Sequence, residues 1–161
     1  MPASSTQSAN RAAATVTIPT PAGDPSLAAD PAVAKLNGTI TFGTEGTYSP
    51  FDYHPAGGGA LTGYDVDVAK AVAAKLGLTA KFQETTWDAL FPALTSHRID
   101  AALDEIEITP QRQATYDLTD PYSVSYPVVI TKASDTSITQ ASDLKGKSSA
   151  NSSGSNWGAI A

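Results

Sequence analysis

Two stretches of the sequence decide the fold: residues 39–44, which read TITFGT, and residues 64–78, which read YDVDVAKAVAAKLGL. The first alternates polar and apolar side chains among β-forming residues, so it predicts a strand. The second predicts a helix, because Asp65 or Asp67 suits the positive N-terminal end and Gly77 suits the C-terminal stop. The predicted core face of this helix consists of Val66, Ala69, Val72, Ala73 and Leu76.

The same alternation of strand and helix continues along the chain. Residues 79–85, TAKFQET, predict a second strand, and a second helix is expected to begin near Thr86 or Asp88 with Pro92 near its first turn. The apolar run Ala-Ala-Leu at 101–103 predicts a buried third strand. A βαβαβ order with right-handed crossovers gives a small parallel sheet with helices outside it, which is an α/β fold.

Two loops are expected on one edge of that sheet. Ligands of open parallel sheets bind beyond the carboxyl ends of the strands. There the first strand is followed by residues 45–51, EGTYSPF, and the third by residues 104–113, DEIEITPQRQ. The second loop places three carboxylates ahead of a single arginine. From the residues alone, three interpretations stay open for it: a ligand cradle, a metal nest or a solvated turn.

Composition limits the classes of function. The chain of 161 residues suits one ordinary domain, and its 41% hydrophobic content indicates a globular protein. The net charge of -6 argues against nucleic acid, because phosphates require basic patches. Without cysteine, and with His54 and His97 lacking metal-ligand spacing, we expect no metal, no cofactor and no catalytic residue. No membrane-spanning run and no secretory signal is visible.

An ordered series of motifs resembles one known family. GTEGTYSPFDYH, the GYDVDVAKAVAAKLG helix, TWDALFPALTSHRIDAAL, ITPQRQATYDLTDPY and ASDLKGK look like, in the same order, segments of the bacterial solute-binding proteins that deliver polar amino acids to ABC transporters. The resemblance covers residues 38 to about 147. It implies a periplasmic-binding-protein-like (type II) fold, in which two α/β lobes with parallel-rich sheets close on a ligand.

Composition and resemblance together predict three parts of the chain. Residues 1–37, rich in Ala, Ser, Thr and Pro without a sustained period, form a flexible leader. Residues 38–125 form the first ligand-binding lobe, and residues 126–161 contain a hinge strand and an incomplete second lobe. The hinge is expected within YSVSYPVVITKA at 122–133. Relatives continue after DLKGK with an apolar strand, whereas this chain has SSANSSGSNWGAIA and stops, so it is either a fragment or an incomplete clamp.

The resemblance also implies roles for single residues. Arg112 matches the arginine that grips the α-carboxylate of the ligand, which a guanidinium binds bidentately. Tyr48 and Trp87 match the aromatic positions that sandwich the ligand side chain. Glu45 matches an acidic position that faces the side-chain cation in relatives selective for lysine or arginine. These residues are therefore predicted to bind the ligand.

Five further candidates lie where the chain departs from the family pattern. Where relatives place Ser, Gly, Asn or Thr, this chain has Asp104, Glu105 and Glu107. On an extended segment the two glutamates would share a face. The acids either hold an ammonium group, compete with the ligand for the arginine, or face water, and these alternatives stay open. Near the C-terminus, Ser155 and Asn156 align with the second-lobe loop that contacts the ligand.

The expected function is extracytoplasmic capture of an amino acid (cationic or polar) or a small amine for an ABC transporter, by a binding protein and not an enzyme. The implied partners are this small molecule and the transporter permease. The implied location is periplasmic or at the cell surface, with a membrane tether through an N-terminal signal or lipid anchor that this chain lacks. The alternatives are a cyclohexadienyl-dehydratase-like enzyme and a ligand-sensing receptor domain on the same fold.

Overall fold

The computed structural model describes residues 18–157. In chain order, its regular elements are α1 (Pro25–Ala28), α2 (Pro31–Ala34), β1 (Thr39–Thr44), β2 (Thr47–Tyr48), β3 (Asp52–Tyr53), α3 (Tyr64–Lys75), β4 (Thr79–Glu84), α4 (Trp87–Thr95), β5 (Ala101–Ala102), α5 (Pro110–Gln113) and a 3-10 turn (Ala141–Leu144). None of the helices in this range is long and apolar enough to cross a membrane.

Strand β1 is the centre of a three-stranded parallel sheet, with β4 on one side and β5 on the other. It pairs with β4 over the whole of both strands, but with β5 only at Phe42 beside Ala101 and Gly43 beside Ala102. The predicted βαβαβ order and parallel sheet are therefore confirmed. The third strand is shorter than predicted, and residues 101–103 are half-buried instead of buried, because β5 is an edge strand.

Helix α3 covers one face of the sheet and packs against β1. The predicted core face is confirmed for Val66, Ala69 and Ala73, which are buried, while Leu76 is half-buried. The prediction is wrong for Val72, which is 41% exposed. At about 100° per residue, Val72 lies roughly a quarter turn from the centre of the buried face, so it points toward solvent.

Helix α4 covers the opposite face, where Leu90 and Ala93 form a second apolar cluster with Ile99. Gly43 of β1 faces this cluster. A β-carbon on residue 43 would lie 2.5 Å from Cδ1 of Ile99 and 2.7 Å from Cδ1 of Leu90. The helix can therefore approach the sheet this closely only because the strand carries no side chain there.

The start of α4 is confirmed, since the helix begins at Trp87 with Thr86 as its N-cap. The predicted position of Pro92 is wrong. It is the sixth residue of the helix, beyond the first turn, and so leaves the carbonyl of Asp88 without its usual N–H donor. Pro92 is exposed, which places this interruption on the solvent side of the helix.

Residues 25–34 form two helical turns within the segment that composition predicts to be a flexible leader. The prediction is wrong here because Asp24 and Asp30 each cap a helix that has proline at its start, a strong helix-initiating arrangement. The turns are anchored to α3, since the N–H of Asp24 donates to the carbonyl of Lys75 at 2.9 Å. Residues 1–17 of the predicted leader lie outside the described range.

The described chain after α5 has little regular structure. Residues 122–133, the expected hinge, pair with no strand in the part of the chain that the structure describes, so the hinge strand is not formed. A strand requires a neighbour for its backbone hydrogen bonds. The most exposed large apolar side chains of the segment are Val124, Tyr126, Val128 and Ile130. The division into lobes at 38–125 and 126–161 stays a prediction, and residues 158–161 lie outside the described range.

Candidate functional site

The candidate site lies beyond the carboxyl ends of β1 and β5. Glu45 follows β1 directly, and its Oε1 accepts a hydrogen bond from the backbone N–H of Trp87, the first residue of α4, at 3.0 Å. Asp104 follows β5 and lies close enough to Glu45 for that charge to raise its pKa. The loops after the first and third strands therefore meet at one edge, as predicted. The Glu45 carboxylate satisfies one of the unpaired N–H groups at the start of α4.

Arg112 is buried at this edge. Helix α5 positions it, because the Thr109 hydroxyl accepts from the N–H of Arg112 at 3.2 Å and so caps the helix. Nη1 of Arg112 donates to the carbonyl of Glu107 at 2.8 Å. The guanidinium carbon lies 5.3 Å from the ring centre of Trp87 and 5.4 Å from that of Phe91. No carboxylate within the described residues forms an ion pair with Arg112, and burial lowers its pKa.

The two predicted aromatic residues lie on different neighbours. Trp87 is half-buried and meets Phe91 edge to face, with ring centres 5.5 Å apart. Phe91 continues this aromatic cluster to Tyr116, 5.2 Å away between ring centres. Tyr48 is 45% exposed and packs on Phe51 at 5.1 Å. Trp87 thus forms a fixed wall beside the arginine, whereas the Tyr48 ring stands at the rim.

Asp104 is buried, and neither of its carboxyl oxygens has a hydrogen-bond partner within the described residues. Burial, then the neighbouring Asp52, then the charge of Glu45 raise the pKa of Asp104 to about 8. Asp52 is also buried, and its Oδ1 accepts from the N–H of Gly46 at 2.6 Å. No group of three or more side chains suited to holding a metal ion occurs between residues 18 and 157. The arrangement is instead an anionic floor.

Glu105 and Glu107 are not side by side on an extended segment, so that expectation is wrong. Glu105 has φ +47°, in the left-handed region, which turns the backbone away from the extended form. Its carboxylate accepts from the hydroxyl of Ser123, with 2.9 Å to each oxygen. Glu107 is exposed, and its backbone carbonyl is the group that contacts Arg112. The three acids therefore have three different environments.

The C-terminal candidates lie near the arginine. Gly154 borders an open groove of about 280 Å³ that is also lined by Phe91, Gln111, Arg112, Thr115 and Tyr116. Ser155 and Asn156 follow it and are half-buried, and the hydroxyl oxygen of Ser155 is buried without a partner within the described residues. The structure thus brings this loop to the side of the site formed by α4 and α5.

Sequence reasoning missed two acids of this region. Asp52 lies in an aromatic segment, PFDY, and a carboxyl group among apolar neighbours was the available signal. Asp65 was assigned only to the start of a helix. It is in fact buried, with Oδ2 accepting from the N–H of Glu105 at 2.8 Å and Oδ1 from the hydroxyl of Tyr122 at 3.2 Å. Burial raises the pKa of Asp65 to about 6.

The motif order, the parallel sheet and the arginine at its carboxyl edge agree with a match to a known family. Residues 40–153 match the bacterial extracellular solute-binding proteins, family 3. The chain belongs to this family. As a family 3 solute-binding protein, it has the α/β fold of the type II periplasmic binding proteins, and its sheet corresponds to part of theirs.

Several relatives of this family 3 protein are amino-acid-binding proteins by name. A probable amino-acid ABC transporter-binding protein of Haemophilus influenzae is 48% identical over 120 residues, 74% of this chain and 46% of the relative. The L-cystine-binding protein TcyA of Bacillus subtilis is 45% identical over 127 residues, 79% of this chain and 47% of the relative. The chain therefore spans about half the length of these curated relatives.

A solved structure supports the same fold. The L-cystine solute receptor of Neisseria gonorrhoeae, in its unliganded open conformation, is 45% identical to this family 3 protein. The match has a TM-score of 0.52 and covers 56% of this chain and 40% of the receptor. The family and the fold are thus supported by sequence and by structure.

Proposed function

We propose that this protein captures an amino acid or small amine outside the cytoplasm for an ABC transporter, and that Arg112 holds the carboxylate of an amino-acid ligand. One observation carries this proposal. The Arg112 guanidinium is buried, stacked on Trp87 and Phe91, and forms no ion pair within the described residues. A guanidinium has several N–H donors in a planar fork, and a ligand carboxylate would accept from those that the Glu107 carbonyl leaves over.

The anionic floor supports a cationic or polar side chain on the ligand. Glu45, Asp52 and Asp104 meet there, and none of them forms an ion pair within the described residues. A ligand group that donates hydrogen bonds complements these oxygens, whereas a second carboxylate is repelled. Tyr48 and Trp87 would contact the intervening apolar part of the ligand. L-arginine and L-cystine are therefore the first ligands to test.

Ser155 and Asn156 would supply contacts from the opposite side of the ligand. Two-lobe binding proteins obtain affinity from both sides of a closed cleft. Because this chain spans about half the length of its relatives, we expect it to bind in the millimolar range by itself. Ligand-detected NMR is suited to affinities of this order.

The decisive experiment measures saturation transfer from the protein to L-arginine, L-cystine and L-glutamate. Arg112→Ala should weaken binding of L-arginine by roughly 1.5–3 kcal/mol, the range for hydrogen bonds to charged groups. Arg98→Ala is the matched control, because Arg98 is exposed and its Nε donates to the nearby Ser96 hydroxyl. An unchanged signal from Arg112→Ala would refute the proposed role of the guanidinium.

A second ligand separates the role of the carboxylate from that of the side chain. L-argininamide keeps the guanidinium of L-arginine but has no carboxylate. It should bind the unaltered protein about as weakly as L-arginine binds Arg112→Ala, and it should lose nothing further on that substitution. Equal binding of the amide and the acid by the unaltered protein would place the carboxylate elsewhere.

The extracytoplasmic location, the transporter permease and a membrane tether belong to the same proposal. They are supported by the family, whose members are extracellular binding proteins. Fractionation of the source cells with an antibody to this chain would test the location. The dehydratase alternative is tested with the same protein, since loss of prephenate absorbance on incubation would show turnover, whereas a binding protein leaves the substrate unchanged.

A further inference from the structure

A closed ring of hydrogen bonds joins three parts of the chain that are far apart in sequence. Asp65, at the start of α3, accepts from the N–H of Glu105 at 2.8 Å and from the hydroxyl of Tyr122 at 3.2 Å. The hydroxyl of Ser123, next to Tyr122, donates to the carboxylate of Glu105 at 2.9 Å. The start of α3, the loop after β5 and the segment leaving the sheet therefore share one network.

The position of Tyr122 is fixed twice by α3. The hydroxyl of Tyr64 donates to the backbone carbonyl of Tyr122 at 2.9 Å, and the two rings lie 6.1 Å apart between centres. Asp65 is 1% exposed, so water does not compete for its carboxylate. Because an unpaired buried carboxylate is costly, the two donors from Glu105 and Tyr122 are needed to keep it there.

Glu105 requires this support. It is a non-glycine residue in the left-handed backbone region, a conformation that persists only when the surroundings hold it. Its N–H is held by Asp65 of α3 and its carboxylate by Ser123. Both ends of the residue are thus fixed, one by the helix and one by the departing segment.

We infer that Asp65 is a positioning residue that fixes the loop of residues 104–107 to Tyr122 and Ser123, so that this loop and the segment leaving the sheet move as one unit. A change at the loop on ligand binding is then transmitted to residues 122–125. That ligand-dependent part rests on the proposed function. The link itself is a property of the protein without ligand.

Amide hydrogen exchange of the full chain without ligand tests the link. The double variant Tyr122→Phe with Ser123→Ala removes two hydroxyls of the network, and exchange should rise about tenfold at both 104–107 and 122–125. The matched control, Ser125→Ala with Tyr126→Phe, removes the same atoms from exposed neighbours and should change neither region. Faster exchange at 122–125 alone, or at neither region, would overturn the inference.

Substitution of Asp65 tests its role directly. Asp65→Ala removes both acceptors and should uncouple the two regions. Asp65→Asn should restore the link, because its amide oxygen can accept from the N–H of Glu105 while its nitrogen donates to the hydroxyl oxygen of Tyr122. If the alanine variant does not fold, the hydroxyl variants decide. An asparagine variant as uncoupled as the alanine variant would contradict this role.

A pH profile distinguishes positioning from simple space filling. Burial raises the pKa of Asp65 to about 6, and the charges of Glu105 and Asp52 act in the same direction, with the Tyr48 and Tyr122 hydroxyls also nearby. Protection at 104–107 and 122–125, corrected for intrinsic exchange, should fall together as the pH drops through about 6. Asp65→Asn should show no such step. Absence of the step from the unaltered protein would count against the inference.

The ligand-dependent test uses L-arginine. In the unaltered protein and in the control variant it should slow exchange at both 104–107 and 122–125, whereas in Tyr122→Phe with Ser123→Ala it should slow exchange at 104–107 alone. Slowing at both regions in the latter variant would overturn transmission through the network. No slowing anywhere in the unaltered protein would refute the proposed function, and the ligand-free results would still decide the link.

Discussion

The carboxyl groups of Asp52 and Asp104 lie beside each other in the floor of the candidate site, and the two residues are 0% and 3% exposed. Neither forms an ion pair within the described residues. Burial and the adjacent Asp52 raise the pKa of Asp104 to about 8. Asp104 therefore carries a proton at neutral pH in the folded protein, and the pair bears about one negative charge instead of two.

Stability should fall as the pH rises from about 4 to about 8. Asp104 has a pKa near 3.8 when unfolded and about 8 when folded, so between these values the folded state retains a proton that the unfolded chain has released. From about pH 7 to about pH 9 this residue should cost about 1.4 kcal/mol of unfolding free energy. Asp65 contributes only at lower pH, because its folded pKa is about 6. Urea unfolding across this range measures the loss.

Two variants assign this loss to its source. Asp104→Asn should remove the Asp104 contribution to the pH dependence and should be more stable than the unaltered protein at about pH 9, because the amide cannot ionise. Asp117→Asn changes an exposed aspartate and should keep the full dependence. A pH profile that survives unaltered in Asp104→Asn would contradict the assignment.

The contact between the central strand and α4 predicts a steric effect at Gly43. Gly43→Ala would place a β-carbon 2.5 Å from Cδ1 of Ile99 and 2.7 Å from Cδ1 of Leu90, and we expect a loss of about 1–3 kcal/mol from overpacking. Adding Ile99→Val removes the nearer clashing atom and should recover part of the loss. The double-mutant cycle is measured by urea unfolding. Additive losses would mean that the two residues do not meet.

The anionic floor predicts a preference among ligands. L-arginine and L-lysine should bind better than L-glutamate, because Glu45, Asp52 and Asp104 form no ion pairs within the described residues. Added salt should reduce this preference by screening the charges. Competition measured by ligand-detected NMR at low and high salt provides the comparison. If L-glutamate binds best, the acids do not face the ligand.

His54 predicts a pH-dependent contact in the glycine-rich loop. Its Nδ1 lies 2.8 Å from the carbonyl oxygen of Gly59 and its Nε2 lies 3.0 Å from Oε2 of Glu84. The bond to Gly59 and then the bond to Glu84 raise the pKa of His54. This contribution is fully present below the ordinary histidine pKa and is lost as the pH rises through the higher folded value. Protection of the amides at 57–59, corrected for intrinsic exchange, should therefore decrease with rising pH.

Substitutions at the two histidines test this contact. His54→Gln should make the amide protection at 57–59 independent of pH, because glutamine does not titrate. His97→Asn is the control, since His97 is exposed and asparagine tolerates its positive φ of 57°. If the His97 variant removes the pH dependence instead, the contact of His54 with Glu84 is not its origin.

The sheet and its two long helices could be predicted because their signals are local. The alternation in residues 39–44 and the apolar face of residues 64–78 each lie within a short window. The helical turns at Asp24 and Asp30 also had a local signal, the Asp-Pro pairs, which the overall composition of the segment concealed. Val72 shows the limit of a face drawn from spacing alone, since burial depends on the partner surface as well.

The environments of the acids could not be predicted, because they depend on contacts between distant residues. Asp65 meets Glu105 across 40 positions and Tyr122 across 57. Sequence could place Asp104, Glu105 and Glu107 in one loop, but the left-handed turn at Glu105 gave each side chain a different direction. The roles of these residues in ligand binding stay predictions.

The pairing of β5 with β1 at only two positions has a dynamic consequence. The loop that carries the three acids continues from the strand with the fewest backbone hydrogen bonds to the sheet, so it can unzip while β1 and β4 stay paired. Local opening of this kind requires much less free energy than global unfolding. A ligand that contacts both the loop and α4 would clamp this edge shut, and the most mobile edge of the sheet would become its most protected one upon saturation.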